Sequence, residues 1–274
     1  MLLPEILSKW EAAGIPQQVY VTRDHEDILC AAKAAVAGEA TDIGIVGGDG
    51  TVMAAINGLG SARIPIGIIP CGTGNDFIRS VSTSHSAADA VEALLRADRL
   101  REVSLGASDK GLFLNVASIG IDAAIARRAA RMKHFLKGPL VYLAASIIEI
   151  FRYRPLTVTL SWDGHQECRK VVLVAVANGA YYGGGMHIAP MADPCDTQYD
   201  VVLARSMSRL RLLQLLPKLY TGRHIGAPEV ETFRCARIRV QCEEPQWINY
   251  DGEILAADRL EILASHQKIS AYVI

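Results

Sequence analysis

Apolar positions follow two different rhythms along this chain, and the change from one to the other divides it. Over the first hundred residues, helical spacing alternates with short, nearly unbroken apolar runs. Pro4 to Ala13 suits a helix with proline in its first turn, and Gly14 ends it. Gln18 to Thr22 reads as a short strand, and an alanine-rich helix from His25 to Val36 stops at Gly38. Ile43-Gly44-Ile45-Val46 predicts a parallel strand buried on both faces. Thr51 to Leu59 restarts a helix with Val52, Ile56 and Leu59 on one side, and Ile66 to Ile69 gives another buried strand. Strand, loop, helix, strand, loop in this order predicts an α/β sheet with ligands at the carboxyl ends of its strands.

Beyond about Val103 strand patterns dominate: Leu112 to Val116, Leu156 to Trp162, Lys170 to Ala177, Tyr199 to Ala204, Arg237 to Gln241 and Leu260 to Leu263. Asp163-Gly164 between two such runs is a hairpin signal. Two helical stretches interrupt them, Asp122 to Arg152, broken near Gly138-Pro139, and Arg209 to Thr221. The chain is therefore read as an α/β domain over 1–103 and a mainly β, sandwich-like domain with helical insertions over 104–274, whose last strand returns to the first domain.

Composition narrows the function. Half of the residues are hydrophobic, 21% are charged and the net charge is -1, so the basic excess of a nucleic-acid binder is missing. Cys30, Cys71, Cys168, Cys195, Cys235 and Cys242 form no CxxC pair and read as free thiols of a cytoplasmic protein. The longest apolar run, Leu140 to Ile148, is far short of the roughly 20 residues that cross a bilayer. The start of the chain lacks a secretory pattern, so a soluble or peripheral protein is expected.

The chemistry concentrates in two glycine loops. Gly47-Gly48-Asp49-Gly50-Thr51 joins a strand to a helix, where glycine lets the backbone approach phosphate and the helix start offers free N–H groups. Asp49 would repel phosphate by itself, so it is expected to help hold Mg²⁺ or to order the loop. Gly72-Thr73-Gly74-Asn75-Asp76 follows the next strand and falls on the same sheet edge. A tight turn explains one such loop; two side by side favour phosphate binding. Neither the Walker A pattern nor the dinucleotide fingerprint is present at these positions.

The segments IVGGDGT, INGL, GIIPCGTGNDFIRS, FLNVASIGID, VANGAYYGGGMHIAP and YDGEI together resemble, in order and spacing, the diacylglycerol kinase catalytic-domain family. That family includes bacterial soluble lipid kinases and the sphingosine and ceramide kinases. The resemblance implies an ATP- and Mg²⁺-using kinase with a lipid alcohol as acceptor and an active site between an α/β and a β-rich domain. Its nucleotide contacts map onto Thr22, the stretch Gly47, Gly48, Asp49, Gly50, Thr51, Val52 and Met53, and the second loop with Gly72, Thr73, Gly74, Asn75, Asp76 and Arg79. Asp251 and Glu253 match a DGE motif assigned to activating the acceptor hydroxyl, and which of them takes the proton stays open. A structural Mg²⁺ site maps onto the Asp196 side chain with the carbonyls of Asp193 and Gln198.

Three departures stand beside the resemblance. The family's opening strand and NPxSG loop have no counterpart here, an Asn-Glu pair is replaced by Met53-Ala54, and DDGLLD reads Cys195-Asp196-Thr197-Gln198-Tyr199-Asp200. They keep open a rival of another class, a lipid- or nucleotide-binding protein without turnover. An NAD kinase shares GGDGT but also expects NxE and TPTGSTAY-like segments, which are absent. Arg127, Arg128, Arg131, Lys133 and Lys137 beside the apolar run fit either a helix docking on the inner membrane face or a solvated helix face. His134, His187 and His224 read as surface or loop residues, and a homodimer stays open.

Overall fold

The computed structural model describes residues 3–97, 99–132, 139–265 and 267–273. It forms two units, 1–103 with 268–274, and 104–267. The first contains α1 (Leu3–Ala12), α2 (His25–Ala37), β1 (Ile43–Gly47), α3 (Asp49–Leu59), β2 (Ile66–Pro70), α4 (Asp76–Val81), α5 (Ala87–Arg96) and β3 (Leu100–Ser104). Its sheet runs β1, β2, the returning strand Lys268–Tyr272, then β3. β1 and the returning strand both lie parallel to β2. All five residues of β2 are buried, as a central strand covered on both faces requires.

Two expectations fail in this unit, for one reason. Gln18–Thr22 forms no strand among the described residues, and Val19, Tyr20 and Val21 are exposed. Ile43–Val46, expected to be buried on both faces, buries Ile45 alone, because β1 is the edge of the described sheet. Apolar character marks a segment as able to enter a sheet, but a ladder also needs a neighbour.

The second unit is built on β4 (Gly106–Ser108), β5 (Gly111–Phe113), β6 (Val116–Gly120), β7 (Leu156–Trp162), β8 (His165–Ala177), β9 (Tyr199–Arg205), β10 (Val230–Cys235), β11 (Ile238–Tyr250) and β12 (Glu253–Leu263). Their one sheet places β6 and β7 end to end in the same gap: each pairs on one side with β8 and on the other with β11. The two 13-residue strands thus change partner midway, and each carries a register irregularity. Asp163-Gly164 makes the expected two-residue hairpin, both residues at positive φ, between Trp162 and its partner His165. The core packs Val158, Leu160, Val174, Val176, Tyr199, Val201, Ile248 and Leu260 from alternating positions of these strands. Burial pushes the Cys235 thiol up to about 12 and the Cys242 thiol to about 11, so both behave as inert core residues.

Helices α6 (Ile121–Met132) and α7 (Pro139–Arg152) follow β6, and α8 (Arg209–Leu219) follows β9. Lys133, His134 and Lys137 lie outside the described residues. His224, read as a surface or loop residue, is buried in the short turn after α8 and donates Nε2–H to the Ile188 carbonyl at 2.9 Å. At the turn into α6, Asp122 is buried and accepts from the Ser118 hydroxyl. Burial pushes its carboxyl above the usual carboxylate range, against the pull of Ser118. A raised folded value means that its contribution is full below the unfolded value of about 3.9 and is lost as pH rises through the folded one. Asp122→Asn is therefore expected to gain stability relative to the native chain at pH 8 and much less at pH 4. Urea unfolding at the two pH values measures this, and an equal difference at both would contradict it.

Candidate functional site

The two glycine loops are locked to each other. Gly48 and Gly72 meet backbone to backbone: a Cβ on Gly72 would lie 2.6 Å from the Gly48 Cα, and one on Gly48 would lie 3.0 Å from the Gly72 Cα. Gly47 is packed under Thr51, whose side chain would sit 2.6 Å from an added Cβ. Asn75 takes the left-handed conformation at φ 54 and closes its loop, accepting from the Gly72 N–H at 2.9 Å and donating to the Gly72 carbonyl at 3.0 Å. Arg79 lays Nε on the Gly74 carbonyl at 3.2 Å, which fixes its guanidinium beside the loop.

Asp49 connects the loops by its side chain. Its two carboxylate oxygens accept the N–H groups of Asp76 and Phe77 at 3.0 and 2.9 Å, at the start of α4. Of its two expected roles the geometry favours ordering the loops, because both oxygens serve the first turn of α4. Asp49→Ala is expected to cost about 1–2 kcal/mol, the usual loss of a helix cap. A urea midpoint equal to the native one would remove this role.

The other first-unit candidates divide. Thr51, Thr73, Gly74 and Asn75 keep exposed or half-exposed positions on the loops, and Gly50 is open. Val52 and Asp76 are buried, so only their backbone can meet a ligand there, while Met53 is half-buried on α3. Thr22 lines an open hollow of about 500 Å³ with Tyr20, Arg23, Asp27 and Cys30. No residue of the two loops is in that lining.

In the second unit three of the motif segments converge on one turn. Asp251, at φ 48, and Gly252, at φ 98, form the reversal between β11 and β12. The Asp251 carboxylate reaches back over more than 130 residues and accepts the N–H groups of Leu114, Asn115 and Val116, the last two at 3.0 Å. Its own N–H returns to the Val116 carbonyl at 3.1 Å. From the other side, Asn178 Nδ2 donates to the carbonyls of Leu114 at 2.7 Å and Ser104 at 2.9 Å. Asp251 thus ties this reversal to the buried Leu114–Val116 segment, while Glu253, two residues on, is exposed at the start of β12. Asn178 is a scaffold residue that reading the sequence missed. Its signal was an Asn directly after a fully apolar strand end, Val171–Ala177.

The Asp193–Gln198 loop, onto which the implied Mg²⁺ site maps, is closed by its own hydrogen bonds. Asp193 Oδ1 accepts the Cys195 N–H at 2.9 Å and Asp196 Oδ1 accepts the Gln198 N–H at 2.8 Å. The other Asp196 oxygen is bonded to the Arg234 guanidinium, whose Nε also lies 3.7 Å from Asp200. Burial pushes the Asp200 carboxyl up, and Arg234 partly offsets that. The Asp196 carboxylate is thus already compensated by a guanidinium.

Comparison with known proteins agrees with both units. Residues 1–107 match the family described as the diacylglycerol kinase catalytic domain, and residues 115–267 match the YegS C-terminal NAD kinase beta sandwich-like domain. A diacylglycerol kinase of Mycobacterium tuberculosis is 34% identical over 242 residues, covering 86% of this chain and 78% of that protein. One of Bacillus subtilis is 26% identical over 258 residues, covering 92% and 84%. Among solved structures, a Bacillus anthracis protein assigned to the diacylglycerol kinases aligns with a TM-score of 0.78 at 25% identity, over 98% of this chain and 90% of that one. An NAD kinase from Archaeoglobus fulgidus shares the fold alone, with a TM-score of 0.56 at 14% identity, over 98% and 88%.

Proposed function

The chain belongs to the diacylglycerol kinase catalytic-domain family, and from that premise we propose that it moves the terminal phosphoryl group of ATP onto a lipid hydroxyl, with diacylglycerol as the first acceptor to test. The observation that carries the reading is the pair of interlocked glycine loops, held by the Gly48–Gly72 contact and the Asp49 cap. Such a cradle suits a triphosphate, with backbone N–H groups and Arg79 as its donors. Mg²⁺ carried with the triphosphate supplies charge neutralisation there, and no role is given to the Asp193–Gln198 loop.

In the transfer, the lipid oxygen bonds to the γ-phosphorus, the bond to the β–γ bridging oxygen breaks and ADP leaves with those electrons. The hydroxyl proton goes to a carboxylate. Between the two candidates we assign that role to Glu253, because it is exposed while Asp251 is occupied by three backbone donors.

Labelled ATP with mixed lipid micelles tests the function. Labelled phospholipid is the expected product. Nucleotide binding with no lipid labelled would leave a binding protein without turnover, the reading that Met53-Ala54 favours. Glu253→Gln is expected to lower kcat at least about 10²-fold with unchanged melting, and an unaffected rate would remove Glu253 from the mechanism.

A further inference from the structure

We infer that Asn249 is a positioning residue for the phosphoryl transfer, tying the turn that carries Glu253 to a buried polar cluster with Ser118 and Asp122. That role rests on the assignment of Glu253 as proton acceptor and says what holds it in place. Glu253 opens β12 and is exposed, and among the described residues its carboxylate makes no hydrogen bond or ion pair. Its position is therefore set by the backbone of the Asp251-Gly252 reversal. Asp251 ties the first half of that reversal to Leu114, Asn115 and Val116. The second half is held differently: the Gly252 N–H, next in the chain to Glu253, donates to Asn249 Oδ1 at 2.7 Å. Local bonds of this kind, from backbone to a nearby side chain, fix turns.

Asn249 is held in turn. It lies directly opposite Ser118 in the antiparallel pairing of β11 with β6, so the two side chains share one face of the sheet. The Ser118 hydroxyl donates to Asp122, in the first turn of α6, and all three residues are buried. Burial holds the Asp122 carboxyl up, while Ser118, the Ala123 N–H and the Asn249 amide pull it down, so that amide belongs to the same cluster. Polar groups cost free energy in a core, and apolar residues of the same shape would serve packing as well or better. The rest of β6 is Val116, Ala117, Ile119 and Gly120, all buried. The cluster ends on a backbone N–H adjacent to Glu253, and holding that group is what an apolar core could not do.

Steady-state kinetics with diacylglycerol in mixed micelles, run well below the melting temperature, test this. Asn249→Ala should lower kcat about tenfold or more while KM for ATP stays within about twofold, because the nucleotide loops belong to the other unit. In a Glu253→Gln background the same change should have no further effect, since a residue that acts by placing Glu253 has nothing left to place. Asn249→Asp keeps an acceptor for Gly252 but sets a second carboxyl against Asp122, and should lose turnover comparably. Adding Asp122→Asn to it exchanges the amide and the carboxyl and should recover most of the native kcat. Native kcat with lowered melting in Asn249→Ala, or losses that multiply in full with those of Glu253→Gln, would leave a structural role only and overturn positioning. Should Asn249→Ala not fold, the exchanged pair decides: no recovery over Asn249→Asp overturns the inference. A native rate in Glu253→Gln would remove the proton acceptor and this role together. A loss there that is uncoupled from Asn249 would sink the positioning alone and leave the kinase reading standing.

Discussion

Gly72→Ala should abolish phosphoryl transfer. The added methyl would lie 2.6 Å from the Gly48 Cα, 2.7 Å from Asn75 Oδ1 and 3.2 Å from the Gly48 nitrogen. Non-bonded carbon atoms rest at roughly 3.5–4.0 Å, so the two loops would have to part by about 1 Å. Two of the three obstructing atoms are backbone and cannot rotate away. Overpacking of this kind costs about 1–3 kcal/mol. The larger effect is on geometry, since a misplacement of about 1 Å in a positioned site costs on the order of 10²-fold in rate. Turnover should fall at least that far, and binding of a fluorescent ATP analogue should weaken in parallel. Gly50→Ala, whose methyl meets nothing within 4 Å, is the stability control and should melt no lower than the native protein. Native kcat/KM in Gly72→Ala would remove these loops from phosphate handling.

The second large effect belongs to Asp251. Asp251→Ala deletes the acceptor of three N–H groups on Leu114, Asn115 and Val116, all of them buried. A buried donor left without a partner costs about 1–3 kcal/mol, and a non-glycine residue without a side-chain hydrogen bond at positive φ adds roughly 1–2 kcal/mol. A total loss of about 3 kcal/mol or more is expected in urea unfolding. Asp251→Asn keeps one oxygen acceptor and should lose less. This pair separates an anchor from a proton acceptor: an anchor shows graded loss of stability, and a base shows loss of turnover at native stability. Native unfolding of Asp251→Ala would refute the anchor.

Both residues show where the sequence was legible. The glycine loops stood out because the requirement is local: a strand end, a missing Cβ and a helix start are adjacent in the chain. The DGE motif was found by resemblance, but its partners lie more than 130 residues earlier. Asp49 likewise gave no sign that it would cap a helix starting 27 residues later. A carboxylate's type announces that it accepts hydrogen bonds, and its partners are set by the fold. The helices α2, α3 and α8 were readable within a few residues, since their stops and caps are local. β10 and the outer part of β12 were not, because their composition is mixed: β10 ends the sheet with β9 as its described neighbour, and Glu253–Ala257 pair with Gln246–Tyr250, which the pattern did not announce. Gln18–Thr22 erred the other way, with strand chemistry and no described neighbour. His224 shows that a polar residue type is a weak guide to exposure when one carbonyl can satisfy it.

The returning strand Lys268–Tyr272 sits between β2 and β3, in the interior of the first sheet. During synthesis, β3 therefore has no described partner in that sheet until residues 268–272 have left the ribosome. The segment 104–267 is contiguous and complete by then. Although it is made second, this β-rich segment can reach its native form first, and the first unit is completed after it. A nascent chain stalled before residue 268 would hold a folded interior and an unfinished beginning.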